Sequence, residues 1–289
     1  MEKLTIRQLI YEFQCDEPLS LHYDLPTITI RGAFGYALAQ VIADQTPILE
    51  LNEQLRLFQA IFAPKNPNAA DGFDQDQTRP FVLRGHFSRP DRRAFQVEAF
   101  LFGVAADCEP LFDLVFDTMA QLGLGKYGQP CTLAKLSSRP VTMPDLEPKP
   151  FLTVTFRTPC ARLKFHGSVF RDELPFAPLA ARLIDRLEEL NRLYGDAIPF
   201  NDYADIGDLK RRATQIPWKR LSGGCYHINR VSGRTGNYLK MDGFLGTMEY
   251  QGDFAPFLPY LRYLPYIHLG RFNVFGCGSC DLAFSDTEI

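Results

Sequence analysis

The chain has 289 residues, 46% of them hydrophobic, with 31 Lys+Arg against 34 Asp+Glu and a formal net charge of −3. That length fits one large or two ordinary domains, and 24 Phe residues supply ample core. No run of 18 or more apolar residues occurs, so no membrane-spanning helix is expected. The opening Met1-Glu2-Lys3-Leu4-Thr5-Ile6 reads as the start of a strand and lacks a signal-peptide core, which predicts a cytoplasmic protein. Seven scattered cysteines, an odd number in a chain too large to need staples, predict reduced thiols.

Leu4–Cys15 reads as a strand. Arg31–Ala43 has small and apolar residues at helical spacing, and Leu51–Phe62 is a second helical run. Pro80–Phe87 and Arg93–Val104 read as strands. Glu109–Leu122 reads as a helix with Leu111, Phe112, Val115, Phe116 and Met119 at its apolar positions. The turn Gly123-Leu-Gly-Lys-Tyr-Gly128 leads to a strand near Cys131–Leu136. Pro144, Pro148 and Pro150 resist both helix and sheet, so 144–150 is a linker between domains 1–143 and 151–289.

Phe151–Arg157 alternates as a strand, and Phe176–Tyr194 is an amphipathic helix with Leu179, Leu183, Leu187 and Leu190 on its apolar face. Strands follow around Trp218–Arg230 and Tyr238–Tyr250. Phe254–Tyr263 is helical, made irregular by Pro256 and Pro259. A glycine-rich loop, His268–Gly278, precedes a last strand, Cys280–Phe284. Both halves thus read β-α-β-β-α-β. The expected class is α+β, two tandem ferredoxin-like (RRM-like) domains with a C-terminal glycine-rich loop. That order leaves one sheet face free, the face RRM-type domains use for RNA.

Charge is uneven. Residues 1–150 hold 14 Lys+Arg and 19 Asp+Glu, net −5, and residues 151–289 hold 17 and 15, net +2. Between Leu209 and Met241 lie Lys210, Arg211, Arg212, Lys219, Arg220, Arg230, Arg234 and Lys240 with no acidic residue, interleaved with Trp218, Tyr226 and Tyr238. Such a stretch is either a polyanion site or a solvated basic face. Glycines around Arg271 in the C-terminal loop permit close backbone approach, and exposed N–H groups there would form an anion-binding concavity suited to phosphate. Cys277-Gly-Ser-Cys280 has CxxC spacing, but no second pair accompanies it and it opens a strand, so no metal site is expected. No cofactor is expected either.

The segments Phe151–Pro159, Arg162–Phe165, Leu183–Leu190, Trp218–Ser222, Gly243–Gly246, Gly252-Asp253 and His268–Gly278 resemble, in order and spacing, the CRISPR-associated endoribonucleases that process repeat RNA, of the RAMP superfamily. Arg31–Leu38 and Gly123–Lys126 resemble the family's N-terminal landmarks. The resemblance implies CRISPR repeat RNA as partner, with other CRISPR effector subunits as further candidates. It implies metal-independent cleavage: the ribose 2′-OH attacks the adjacent phosphorus, giving 2′,3′-cyclic phosphate and 5′-OH ends. Such chemistry draws on a base near neutral pKa, a donor to the leaving oxygen and a cation. The alternative is a non-catalytic RAMP subunit that binds guide RNA.

By that resemblance His22, before the first helix, Tyr36, on it, and His268 are the catalytic candidates. Their plain alternatives are a surface loop residue, a core tyrosine with a wet tip, and a loop brace. His227 stands in the basic stretch without an assigned task. Arg271 leads the expected RNA contacts, followed by Lys219, Arg220, Arg230, Arg234 and Lys240, with Arg31 at the start of the first helix.

Overall fold

The computed structural model describes residues 4–22, 25–45, 58, 60–62, 78–200, 203–231 and 238–288. The chain divides into two compact units, Glu2–Val141 with Tyr194–Asp196, and Thr142–Leu193 with Ala197–Ile289 (and Met1).

The first unit runs β1 (Ile6–Gln14), α1 (Thr27–Gln45), β2 (Phe81–Phe87), β3 (Ala94–Phe102), a 3-10 helix (Gly103–Cys108), α2 (Glu109–Leu122) and β4 (Thr132–Pro140). Its antiparallel sheet has the order β2-β3-β1-β4. Alternation sends Leu9, Tyr11 and Phe13 inward, opposite Ala99, Val97 and Phe95. Phe34 of α1 packs on Phe112 and Phe116 of α2, and Tyr11 lies 4.4 Å from Phe116 between ring centroids. The Tyr11 hydroxyl donates to Asp113 Oδ1 at 2.6 Å. Burial, with that carboxylate, holds its phenol well above the usual value. Across the reverse face, Arg84, Glu98, Gln8 and Arg139 form a hydrogen-bonded row, one residue from each strand in spatial order.

The second unit begins with β5 (Phe151–Ala161) and a small hairpin, β6 (Leu163–Phe165) and β7 (Ser168–Phe170). Helices α3 (Phe176–Tyr194) and α4 (Tyr203–Ala213) follow, then β8 (Trp218–Tyr226), the hairpin β9 (Asn229–Val231) and β10 (Tyr238–Lys240), and β11 (Gly243–Gln251). A 3-10 turn (Ala255–Phe257), α5 (Leu258–Leu261), α6 (Leu264–Ile267) and a 3-10 turn (Asn273–Phe275) lead to β12 (Cys280–Ser285). The main sheet has the order β12-β5-β11-β8, again with the first strand between the last and the third. Both units are ferredoxin-like.

Departures from the sequence reading are local. The strand expected over Trp218–Arg230 breaks at His227-Ile228, and the one over Tyr238–Tyr250 breaks after Lys240. Pro256 and Pro259 break the helix expected over Phe254–Tyr263 into short turns, and Pro265 opens a further one beyond it. Of the helical run at 51–62, Phe58 and Ala60–Phe62 are helical and the rest lies outside the described residues. The expectation of reduced thiols fails at one pair, because Cys15 and Cys131 form a disulfide with Cα atoms 4.6 Å apart. Strands β1 and β4 end on the pair Gln14↔Thr132, so the next residue outward on each is a cysteine. The other five cysteines form no disulfide. Among the described residues no group of His, Cys, Asp and Glu could hold a metal ion, and no helix is long and apolar enough to cross a membrane.

Candidate functional site

His22 is clipped to the start of α1 at two points. Its backbone N–H donates to Thr29 Oγ1 at 3.1 Å, and its ring Nδ1 accepts the Leu25 N–H at 3.2 Å. An Nδ1 that accepts is unprotonated, so the neutral ring carries its proton on Nε2 and offers an N–H donor. Tyr36 is 73% exposed, which removes the core reading. It lies seven residues beyond Thr29 on the same stripe of α1, about 10 Å along the axis. Arg31 sits with its guanidinium 4.0 Å from the centroid of Phe62, so packing on that ring occupies the group expected to bind RNA. Gly35 makes room for the same ring: an added Cβ would come within 2.2 Å of it.

The glycine turn of the first unit meets the His22 loop. Lys126 N–H donates to Ser20 O at 3.2 Å, and Leu124 and Gln129 exchange backbone bonds that close the turn. Lys126 and Tyr127 at its tip are exposed, Tyr127 by 74%.

The C-terminal loop behaves differently. His268, Leu269, Cys277 and Ser279 are fully buried. Many of the loop's N–H groups are spent on backbone oxygens of the same unit: Leu269 on Gly278 O, Arg271 on Ala161 O, Gly276 on Asn273 O, Cys277 on Phe272 O and Gly278 on Pro159 O. The Ser279 N–H goes to Thr158 Oγ1, whose hydroxyl donates to Gly276 O at 2.6 Å. These bonds make the loop a backbone-to-backbone clasp, and the N–H groups they use are not open to the anion that its glycines suggest. His268 has no exposed surface and packs inside the unit, an environment that suits the loop-brace alternative better than the catalytic one. Arg271 is half-buried, and its backbone bridges to β5.

Residues 154–280 match the family model of the CRISPR-associated endoribonuclease Cas6. The C-terminal half of this chain is a Cas6-family domain. Residues 4–147 match a second model, described as an N-terminal domain. A solved structure titled as the CRISPR endoribonuclease Cse3 bound to 19 nt RNA aligns at 14% identity, covering 95% of this chain and 99% of that one, with a TM-score of 0.31. No curated protein sequence matches the chain.

Within the Cas6-family domain most of the expected cations are already engaged. Register and burial place Thr153, Thr155, Arg157, Thr247, Glu249 and Asp281 on the sheet face away from Leu152, Val154, Phe156 and Met248. On that face Arg157 pairs with Asp281 at 2.6 Å, and Thr155 bonds Thr247. These positions hold no aromatic residue, so the RRM-style stacking surface expected from the topology is missing at them. Lys219 lies between Glu288 at 2.7 Å and Glu249 at 3.2 Å, and bonds to both hold its pKa up. It is a salt-bridge centre, not an open phosphate contact. Arg220 donates to Asp172 O at 2.9 Å. Arg230 lies 4.6 Å over the ring of Phe275, and burial lowers its guanidinium from the usual value. Lys210 bonds Asp185, and Arg211 and Arg212 both bond Asp208. Arg234 lies outside the described residues. Lys240 is exposed on β10 and forms no ion pair among the described residues.

The sequence reading passed over a carboxylate partner. His227 Nδ1 lies 3.2 Å from Asp242 Oδ1, and the imidazole is 69% exposed. The carboxylate engages Nδ1 as a donor, the reverse of His22, whose Nδ1 accepts. The two residues are 15 positions apart across the β9–β10 hairpin, a separation that gives no sequence signal.

Proposed function

We propose that the protein cuts CRISPR repeat RNA without a metal, with His22 at the reacting phosphate. The observation that carries this reading is His22 at the mouth of α1, its backbone bonded to Thr29 and its ring Nδ1 accepting the Leu25 N–H, which leaves Nε2 as the ring's donor. As the O2′–P bond forms and the P–O5′ bond breaks, negative charge develops on the phosphoryl oxygens and on O5′. A fixed N–H donor stabilises that charge. The net reaction moves one proton from O2′ to O5′ and leaves a 2′,3′-cyclic phosphate and a 5′-OH. Tyr36 adds a second exposed donor on the same helix stripe. Lys240 and Arg271 are proposed as RNA contacts of the Cas6-family domain.

The test is cleavage of end-labelled repeat RNA in excess EDTA, beside the same RNA with a single 2′-deoxy nucleotide at the cut. A cut that survives EDTA and disappears with the deoxy substrate supports the reading. A cut abolished by EDTA sinks the metal-free chemistry. Tight binding with no cut marks instead a guide-binding subunit.

A further inference from the structure

We propose that Lys126 and Tyr127, at the tip of the first unit's glycine turn, hold the RNA strand at His22, the lysine on a phosphate and the tyrosine under an unstacked base. The inference rests on the His22 reading above and adds the groups that would dock the substrate there.

Three observations bring the tip and the histidine together. Lys126 N–H bonds Ser20 O at 3.2 Å. Gly125 has φ +76°, and an added Cβ would stand 2.8 Å from the same oxygen, so the two backbones touch. Ser20 precedes His22 by two residues, a span of at most about 7 Å between Cα atoms. The turn is also stiff. Leu124 and Gln129 exchange bonds of 2.8 and 2.9 Å, and a Cβ on Gly123 would meet Gly128 O at 2.2 Å.

The tip itself has the chemistry of a nucleotide clasp. Lys126 Nζ lies 5.3 Å from the centroid of the Tyr127 ring, and both side chains stand in solvent. Lys126 forms no ion pair among the described residues, unlike Lys135, Lys149, Lys210 and Lys219. An aromatic face beside an unneutralised cation suits a single-stranded nucleotide, since every base has a π-face to stack and every link carries a phosphate. It reads no sequence, so it positions the strand and leaves selection to other contacts.

The test uses the full chain and a repeat RNA made uncuttable by a 2′-deoxy nucleotide, with affinity measured over a series of salt concentrations. Lys126→Ala should weaken binding several-fold and lower the slope of log affinity against log salt by about 0.7, one single-strand phosphate contact. Tyr127→Ala should weaken binding about 5- to 100-fold with the slope unchanged, and Tyr127→Phe should restore it. Both side chains are exposed, and circular dichroism checks that the variants fold. If the wild type binds and cuts the RNA while both alanine variants bind as it does, this proposal fails and the His22 reading stands. If the wild type neither binds nor cuts, both fail together.

Discussion

In the first unit the segment Gly123–Gly128 turns outward and leaves Lys126 and Tyr127 in solvent. In the second, His268–Gly278 turns inward and buries its histidine completely. Both segments are glycine-rich, and both carry a cation. They differ in what the missing Cβ accommodates. At Gly278 it is Leu269 O, which an added Cβ would meet at 1.8 Å, so that loop folds on itself. At Gly125 it is Ser20 O, part of the chain that leads to His22. A glycine that admits another backbone marks a structural clasp, and a turn becomes a candidate site only where its remaining side chains face water.

The contrast can be broken first at its glycines. Gly278→Ala should cost about 3–5 kcal/mol, because φ is +77° and the carbonyl cannot yield, read as a fall in urea midpoint. Gly125→Ala should cost about 1–3 kcal/mol and displace the Lys126 tip. Equal effects at the two positions would contradict the distinction. Next in size is the disulfide. Replacing Cys15 and Cys131 together by serine should lower stability by about 2–4 kcal/mol, since the bond closes a loop of sequence separation 116. If the double variant unfolds at the wild-type urea midpoint, the pair contributes nothing.

Thiol chemistry sharpens the same comparison from the side of burial. Cys160, Cys277 and Cys280 are buried in the second unit, and burial pushes the Cys277 thiol up to about 12. Those three should resist alkylation in the native protein, whereas half-buried Cys108 and Cys225 should react. Rapid native modification of Cys277 would show that the C-terminal loop opens readily. The smallest effect is expected at Lys219. Already held by Glu249 and Glu288, it should leave RNA affinity within about twofold and the salt slope unchanged when replaced by methionine.

Much of the fold was legible because periodicity is a local property. Period-2 alternation exposed β5, a content of Phe and Val exposed β3, and 3.6-residue spacing exposed α2 and α3. The β6–β7 hairpin was not legible: its strands have three residues each, and its turn rests on positive φ at His166 and Gly167. Helix α4 was hidden by its charge, with Asp208 pairing Arg211 and Arg212 along its surface. The disulfide depends on β1 lying beside β4, a fact of topology. At the candidate site, the position of His22 was legible through family likeness, but its tautomer depends on one backbone N–H. His268 looked functional because a histidine beside glycines reads alike whether it faces solvent or the core. The basic stretch misled for a related reason: sequence counts charges and does not show the carboxylates and rings that engage Lys219 and Arg230.

The most direct test is single-turnover cleavage of repeat RNA by His22→Ala, measured beside the variant's affinity for the same RNA in uncuttable form. Cleavage should fall about 10²- to 10⁴-fold while affinity stays within a few-fold of wild type. Wild-type cleavage by the folded His22→Ala variant would contradict the account, and would turn attention to the exposed imidazole of His227.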